Sequence, residues 1–409
     1  MRRTFFFAIL IFSCAFIQAQ KVKTGIEVLQ ESKFKSLDGK RVGLITNPTG
    51  VNSELKSTVD ILFDASNVEL VALYGPEHGV RGDYSAGDKV DFFTDPKTKL
   101  PVYSLYGKNK KPSPEMLKDI DVLVYDIQDI GSRSYTYIST LGLAMEAAAE
   151  NNITLVVLDR PNPLGGIKME GLVTEPEFIS FVSQFPIPYV HGLTVGELAE
   201  LLNGEKLLKD DVVCDLEVIK MDGWQRTMTF EDTGLPWIPS SPHIPHAHSS
   251  YFYPVSGILG ELYVYNIGVG YTLPFQLFAA EWIDADSLAN NLNALKIEGI
   301  TFRPVHFKPY YSVSKGKMVH GVQVHFTDYQ KAPLSLIQFY ILQEAYQLWP
   351  DHNVFELCTE SRIGMFDKVS GSDKVRIEFT KNWKVADIEE MWYKDIKSFK
   401  KTASKYFIY

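Results

Sequence analysis

Four apolar segments of the sequence each lead directly into a polar turn that carries acids, bases or amides. The turns occupy residues 47–50, 75–82, 126–133 and 159–163. Buried strands of open α/β sheets lose their apolar character where the chain leaves the sheet, and ligands bind outside those carboxyl ends. Turns need Gly, Pro, Asn and Asp for backbone reasons, but they do not need Glu-His, Gln-Asp or Asp-Arg. The sequence therefore predicts one polar active site at this sheet edge.

Glu77 is the residue in these turns best suited to acid chemistry. It follows Pro76 in a glycine-flanked turn, so the backbone is tightly bent and presents the side chain at a strand end. A carboxyl group in a partly desolvated loop has a raised pKa, which suits a general acid. The alternative is an exposed ion pair with Arg81, which contributes little stability. His78 is expected either to orient its neighbour or to take part in catalysis itself.

Two more carboxylates and an amide follow the third apolar segment. Asp126 and Gln128 point to one side of the chain and Ile127 to the other, because side chains alternate along a strand. Carboxyl groups on different strand ends can converge to the roughly 5–9.5 Å separations of glycosidases. Asp126 and Asp129 are therefore candidates for a second catalytic group. The alternative role for one of them is to cap the helix that begins near Ser134.

The same turns contain candidates for ligand binding. Arg81, Arg133 and Arg160 carry planar guanidinium groups that match a carboxylate or a phosphate. Tyr135 offers a face on which a sugar ring can stack, although an aromatic residue at a helix start is equally typical of a core. Gln128 lies among these groups on the third turn.

The fourth turn, Asp159-Arg160-Pro161-Asn162-Pro163, is stiffened by the two prolines that bracket Asn162. A rigid loop of this kind holds a substrate group in place. The alternative is a structural turn in which Asp159 pairs with Arg160.

Strands and helices alternate along the chain and would position these turns. Strands are predicted at residues 40–46, 68–74, 120–125, 153–158, 212–221, 301–307 and 319–326. Helices are predicted at residues 136–150, 284–295 and 334–348, before 59–63 with a cap at Asn52 or Ser53, and after a capping box formed by Thr194 and Glu197. The polar segment 79–107 is expected to be a lid or binding loop. This alternation predicts right-handed βαβ units and a mainly parallel, Rossmann-like sheet.

Size and charge narrow the classes of protein further. A chain of 409 residues exceeds what one core usually supports, so we expect domains at 21–250 and 251–409 with a junction in 235–254. The net charge of −9 argues against nucleic acid as a partner, and no basic amphipathic helix suggests membrane binding.

No metal or other cofactor is expected. The spacing of His243, His246 and His248 matches no common zinc motif. Gly268-Val269-Gly270 lacks the third glycine of a dinucleotide-binding turn.

The first twenty residues resemble a secretory signal peptide. Arg2 and Arg3 precede an apolar stretch at 5–16 that is too short to span a bilayer, and small residues suited to cleavage follow at 18–20. The alternative is a lipoprotein anchored through Cys14. In both cases we expect the protein outside the cytoplasm, in the periplasm or secreted. Whether Cys214 and Cys358 pair there is left open.

The motifs, taken together, resemble those of the NamZ-type exo-β-N-acetylmuramidases. In order along the chain they are Gly75-Pro76-Glu77-His78-Gly79, Asp126-Ile127-Gln128-Asp129-Ile130-Gly131-Ser132-Arg133, Tyr135-Thr136-Tyr137-Ile138, Asp159-Arg160-Pro161-Asn162-Pro163, Gly192-Leu193-Thr194, Gly196-Glu197 and Leu235-Pro236-Trp237. The resemblance implies a Rossmann-like domain, a smaller α+β C-terminal domain and an active-site cleft between them. It also implies release of terminal N-acetylmuramic acid (MurNAc) from the non-reducing end of peptidoglycan fragments, with Glu77 as the essential glutamate.

The second half departs from the family pattern. Where the family has Glu-Gly-Thr-Asn and Gly-Arg-Gly, this chain has Glu261-Leu262-Tyr263-Val264 and Gly268-Val269-Gly270. An asparagine and an arginine are thus replaced by Val264 and Val269, while Glu261 remains as an expected substrate-binding residue. This combination suggests retained chemistry with altered substrate contacts.

The resulting hypothesis is an exo-acting glycoside hydrolase in which Glu77 protonates the glycosidic oxygen. Asp126 or Asp129 assists as a base or charge stabiliser, or the substrate's acetamido group acts as the nucleophile. Two alternatives come from other classes of protein. One is a catalytically silent sugar-binding protein, and the other is a metal-dependent esterase or deacetylase acting on the same polymer.

Overall fold

A computed structural model describes residues 21–77, 79–82 and 92–409, so the predicted signal peptide with Cys14, and His78, lie outside the described residues. The strands are β1 (Arg41–Thr46), β2 (Glu69–Gly75), β3 (Phe92–Thr94), β4 (Pro101–Ser104), β5 (Val122–Asp126), β6 (Thr154–Leu158), β7 (Leu216–Ile219), β8 (Leu277–Ala280), β9 (Ile300–Phe307) and β10 (Val319–Phe326). The helices are α1 (Gly25–Glu31), α2 (Thr58–Phe63), α3 (Pro114–Leu117), α4 (Tyr137–Glu150), α5 (Val195–Gly204), α6 (Ala247–Gly260), α7 (Ala285–Ala294), α8 (Ile337–Leu348), α9 (Val354–Leu357), α10 (Glu360–Ser370), α11 (Lys374–Asn382), α12 (Glu389–Tyr393) and α13 (Ile396–Ala403).

Seven strands form one sheet in the order β3-β4-β2-β1-β5-β6-β7, and its pairs are parallel except β3 with β4. Thr46 at the end of β1 pairs with Asp126 at the end of β5. The polar turns therefore leave the sheet at a common edge, as predicted. A second, antiparallel sheet follows in the order β8-β10-β9. These two sheets confirm the predicted fold class.

Local sequence rules predicted some helix ends and missed others. The capping box at α5 is confirmed, since the Thr194 hydroxyl accepts from the Glu197 N–H at 3.1 Å and the Glu197 carboxylate accepts from the Thr194 N–H at 3.1 Å. The predicted cap of α2 is wrong, because Ser57 caps this helix. The Asn52 side chain instead accepts backbone N–H groups two and four residues later and closes the preceding turn.

The segment 79–107 contains structure that the sequence analysis missed. Strands β3 and β4 extend the sheet beyond β2 and flank the Asp95 turn. They are three and four residues long, too short for their alternation to stand out in the sequence. Residues 83–91 of the predicted lid lie outside the described residues.

The two halves of the chain share a core. Helix α6 crosses the predicted junction and is buried together with the second sheet against Ile130, Leu164 and Tyr189 of the first half. The last part of the segment predicted as a junction, 247–254, is instead the beginning of this helix, which contains Pro254. The boundary between residues 250 and 251 falls within α6 and stays a prediction.

None of the helices in the described part of the chain is long and apolar enough to cross a membrane. Cys214 is buried, Cys358 is half-buried, and both are free thiols.

Candidate active site

A cleft opens beside the carboxyl edge of the first sheet, where the turn after β2 meets helix α6 and the turn before β8. Its walls include Glu77, Tyr135, Tyr137, His243, Tyr253 and Phe275, and it holds about 660 Å³ with its mouth. We call this space the inner chamber. Because its walls come from both halves of the chain, it lies where the cleft was predicted.

The backbone around Glu77 explains the two glycines of its motif. Gly79 donates its N–H to the Pro76 carbonyl at 3.0 Å and has a φ of +74°, which favours glycine. A Cβ at Gly75 would lie 3.0 Å from the Val80 nitrogen, so a side chain there would push the turn away from the sheet. These constraints hold Glu77 at the strand end.

Glu77 is half-buried, and its charge affects the pKa values of the tyrosines around it. Burial, with a hydrogen bond to Glu77 and its negative charge, raises the pKa of Tyr106 to about 12. Burial also raises the pKa of Tyr137, and the charge of Glu77 contributes to that shift. Glu77 is therefore a carboxyl group in a cleft lined by phenols, with access to a ligand.

Three tyrosines form a fixed wall opposite open space. The ring of Tyr135 makes edge contacts with Tyr137 and Tyr253 at centroid distances of 5.1 and 5.6 Å. The Tyr135 hydroxyl lies 2.8 Å from the Ser240 hydroxyl, and Tyr137 donates to the Ser240 carbonyl at 2.6 Å. Tyr135 therefore lines the inner chamber, and its role as a stacking surface for a sugar ring stays a prediction.

Asp126 is fully buried at the carboxyl edge of the first sheet. Its side chain has no exposed surface, and Arg160 binds it through Nε at 2.5 Å and Nη2 at 2.9 Å. The Thr58 hydroxyl donates to its second oxygen at 2.5 Å. Both oxygens are thus committed to the protein. Contrary to the roles expected from the sequence, Asp126 and Arg160 brace the strand ends and do not line the inner chamber.

Arg133 is also a structural residue, contrary to its predicted role in ligand binding. It is 0% exposed and donates to the Ser183 hydroxyl at 3.1 Å and to the carbonyls of Leu172, Ile187 and Val369 at 2.6, 2.6 and 2.9 Å. Burial lowers its pKa to about 9. Its guanidinium joins the first half of the chain to α10 and has no path to a ligand.

Arg81 pairs with two aspartates on the far side of its turn. Its guanidinium binds Asp95 at 2.6 Å and Asp60 at 3.2 Å. Burial alone would raise the pKa of Asp95, but hydrogen bonds from Arg81 and Thr98 outweigh it and hold that pKa far below its usual range. Arg81 does not pair with Glu77, which leaves the Glu77 carboxyl outside that ion pair.

Asp159 and Asn162 hold neighbouring loops together instead of facing the inner chamber. Asp159 is fully buried at the start of α5, where it accepts from the Gly196 N–H at 2.8 Å and the Tyr409 hydroxyl at 2.7 Å. Burial raises its pKa to about 6. Asn162 donates to the Leu193 carbonyl at 2.9 Å. Both residues therefore fix the backbone.

Gln128 joins the same framework. Its amide donates to the Asp129 carbonyl at 2.8 Å and to the Pro161 carbonyl at 2.7 Å, which ties the third turn to the fourth. Together with Arg160 and Trp237 it lines a separate small pocket. The polar turns predicted to form one site therefore have two roles. Some of their side chains bind one another and hold the turns together, and Glu77 lines the inner chamber.

Asp129 is an intermediate case. One of its oxygens accepts from the Gly131 N–H at 2.7 Å and lies 3.4 Å from Nε2 of His191, and the other has no hydrogen bond within the described residues. His191 accepts the Leu193 N–H on Nδ1, which leaves the imidazole proton on Nε2, facing Asp129. The charge of Asp129 adds to the burial that raises the pKa of Tyr135. It supports the tyrosine wall without lining the chamber.

Several chamber residues were missed or misjudged from the sequence. Tyr253 and Phe275 lie more than 170 positions after Glu77 and had no motif of their own. His243 was considered only as a metal ligand, but its ring bonds to the Tyr311 hydroxyl. His248 packs on Tyr251 and Phe252. Over the described residues, no group of three His, Cys, Asp or Glu side chains is arranged to hold a metal ion.

A second space, the outer chamber, adjoins the first. It holds about 620 Å³ and shares Tyr253 and Phe275 with the inner chamber, and its other walls include Glu261, Tyr263 and Val269. Glu261 therefore lies in the cleft, as expected for a substrate-binding residue, and Val269 faces the same space. Val264 instead packs against the core.

A Rossmann-like sheet, a second antiparallel sheet and a half-buried glutamate in a phenol-lined cleft define an α/β protein equipped for acid chemistry on a polar ligand. The family description "Exo-beta-N-acetylmuramidase NamZ, N-terminal" matches residues 42–248, and its C-terminal counterpart matches residues 251–409. The chain belongs to the NamZ family.

Individual relatives agree with this assignment. The chain is 46% identical to the peptidoglycan beta-N-acetylmuramidase NamZ of Bacillus subtilis over 95% of its own length and 92% of that protein. A crystal structure of a DUF1343 family protein from Bacteroides fragilis is 61% identical, with a TM-score of 0.92, and covers 95% of this chain and 99% of its own. A second such protein from the same organism is 29% identical with a TM-score of 0.77 and the same coverage.

Proposed function

We propose that this protein is an exo-acting glycoside hydrolase that releases terminal MurNAc from the non-reducing end of peptidoglycan fragments. The observation that carries this proposal is the position of Glu77, held by a glycine-framed turn in a chamber built by both halves of the chain. The family and the similar muramidase from Bacillus subtilis support the same reaction.

In this mechanism Glu77 donates its proton to the glycosidic oxygen as the bond breaks. A general acid must be protonated in the resting state and must lie within hydrogen-bond reach of the leaving oxygen. Glu77 is half-buried in the lining of the inner chamber, so a sugar bound there can bring its glycosidic oxygen within reach of the carboxyl group. The tyrosine wall would hold the sugar ring against this proton.

The second catalytic group is best supplied by the substrate. Of the described residues that line the inner chamber, Glu77 is the only carboxylic acid. Asp126 is buried and paired with Arg160, and Asp129 does not line the chamber. The acetamido group of MurNAc is then the nearest available nucleophile, which is a known departure from the scheme with two carboxylates.

Recognition of muramic acid requires a positive charge near its lactyl carboxylate. The three arginines expected to supply it are bound to the protein itself. Among the described residues of the inner chamber, His243 is the only side chain that can become cationic. His243 is therefore the best candidate to bind the lactyl carboxylate, and Tyr311 would orient its ring.

The experiment that tests this function is hydrolysis of defined disaccharides by the purified protein. MurNAc linked to N-acetylglucosamine (GlcNAc), with MurNAc at the non-reducing end, should yield free MurNAc. The reversed disaccharide, GlcNAc–MurNAc, is the matched control and should stay intact. Cleavage of neither disaccharide by folded protein would contradict the proposal and favour a silent sugar-binding protein.

We also propose that the protein acts outside the cytoplasm, because peptidoglycan is found there and residues 1–20 resemble a signal peptide. Mature protein from the periplasm or medium should begin near Lys21 when its N-terminus is sequenced. Recovery of the uncleaved chain in the cytoplasm would contradict this, and a mature chain lipidated at Cys14 would favour the lipoprotein alternative.

A further inference from the structure

The outer chamber is placed to hold a second part of the substrate. Tyr253 and Phe275 belong to both chambers, and their rings are in edge contact at 4.9 Å. A ligand that passes these two rings would therefore enter both spaces. The chambers are similar in size, about 660 and 620 Å³ with their mouths.

Glu261 presents an accessible carboxylate in the wall of the outer chamber. Its carboxylate makes no hydrogen bond to any described residue, and its single charged neighbour, Arg362, is 4.0 Å away. Burial raises the pKa of Glu261, and Arg362 offsets only part of that effect. The Glu261 side chain is 32% exposed, so its oxygens are open to a ligand, and sugar hydroxyl groups are suitable donors.

The remaining walls of the outer chamber are preformed. The Asn266 amide donates to the carbonyls of Val269 at 3.2 Å and Val313 at 2.8 Å, which joins two loops across the chamber. The guanidinium of Arg362 lies 3.7 Å from the ring centre of Tyr263 and holds that side chain at the rim. An aromatic rim and a fixed acceptor are typical requirements for binding a pyranose.

Charge separates what the two chambers can bind. No Lys, Arg or His is among the described residues that line the outer chamber, whereas Glu261 is. The nearest cation, Arg362, stacks on Tyr263 at the rim and already pairs with Glu261 at 4.0 Å. The described lining of the outer chamber therefore supplies no cation of its own for a carboxylated sugar. The inner chamber contains His243 and therefore suits the anionic muramic residue.

We infer that the outer chamber is a binding site for the uncharged N-acetylhexosamine on the leaving side of the scissile bond, with Glu261 accepting hydrogen bonds from its hydroxyl groups. This inference rests on the proposed function, since it assigns the partner sugar of the same reaction. Glu261 then determines which leaving group is accepted and leaves proton transfer to Glu77.

The test compares two substrates that share MurNAc and differ in the leaving group. One is MurNAc–GlcNAc, and the other is an aryl MurNAc glycoside whose aglycone has no sugar hydroxyls. Glu261→Gln should lower kcat/KM for the disaccharide about ten- to a hundredfold, as expected for loss of a hydrogen bond to a charged acceptor. It should change kcat/KM for the aryl glycoside less than twofold. Glu298→Gln, at an exposed site, is the matched control and should alter neither.

The outcomes separate the two proposals. If the wild-type protein hydrolyses neither substrate, the proposed function fails. If it hydrolyses both and Glu261→Gln lowers both equally, or neither, the inferred site is overturned while the function stands. Titration of the wild-type protein with free GlcNAc needs no turnover. We expect saturable binding that Glu261→Gln weakens by the same factor, and its absence would also overturn the inference.

Discussion

The Glu77 turn and the Asp126 turn follow strands β2 and β5, which lie on either side of β1 in one sheet, but their carboxyl groups have different environments. Glu77 is half-buried beside open space, whereas Asp126 has no exposed surface and both of its oxygens are bound by Arg160 and Thr58. A charged side chain at a strand end can act on a ligand only where no other residue of the chain pairs with it and buries it. Pairing and access, more than residue type, separate a carboxylate that can act on a ligand from one that braces the fold.

The largest effect on folding should come from Asp126→Asn. The substitution leaves the buried Arg160 charge without its partner, so the free energy of unfolding should fall by about 3–5 kcal/mol. Urea denaturation measures this change. Asp121→Asn is the matched control, because Asp121 forms a similar pair with Arg41 at 2.8 Å but is well exposed, and it should cost no more than about 1 kcal/mol. Equal losses of unfolding free energy in the two variants would show that the buried Asp126–Arg160 pair contributes no more than the exposed Asp121–Arg41 pair.

The stability of the folded protein should depend on pH through Asp159. Burial raises its pKa to about 6 in the folded protein, against about 3.9 in an unfolded chain. The folded state therefore binds the proton more tightly, and this group's contribution to stability decreases as pH rises from 4 to 6. The penalty above pH 6 is about 3 kcal/mol.

Replacing Asp159 with Asn removes this titration. The unfolding free energy of the wild type, minus that of Asp159→Asn, should increase by up to about 3 kcal/mol as pH is lowered from 7 to 4. Denaturation curves at several pH values measure it. A difference that stays constant with pH would contradict the raised pKa.

A smaller effect is expected at the chamber wall. His243→Gln removes the side chain that can become cationic near the lactyl carboxylate, so KM for MurNAc–GlcNAc should rise about tenfold while the melting temperature stays unchanged. His246→Gln is the control, since His246 is exposed and does not line the inner chamber. If both variants behave alike, the carboxylate is recognised by another residue.

Much of the frame was predictable, because it depends on short-range rules. Apolar runs marked the central parallel strands, and the spacing of Thr194 and Glu197 marked the start of α5. Strands β3 and β4 were missed because their pairing depends on the neighbouring strand β2 more than on their own residues.

Glu77, Tyr135 and Glu261 were expected at the site from the sequence, and all three line the cleft. Glu77 stood out because the backbone demands of its turn and the chemistry of its side chain coincide. The bracing roles of Arg133 and Arg160 depend on partners that the sequence does not indicate. Arg133 binds the Val369 carbonyl, 236 positions away. Arg160, which follows β6, binds Asp126 at the end of the neighbouring strand β5. The residues that complete the chamber, Tyr253 and Phe275, come from the second half of the chain for the same reason.

The most direct test of the account is Glu77→Gln, assayed together with Asp126→Asn for both turnover of MurNAc–GlcNAc and thermal unfolding. Glutamine keeps the shape of Glu77 but has no transferable proton, so we expect turnover to fall by about two to four orders of magnitude with an unchanged melting temperature. Asp126→Asn should lower the melting temperature instead. A Glu77→Gln protein that retains more than about a tenth of wild-type turnover would contradict the assignment of Glu77 as the general acid.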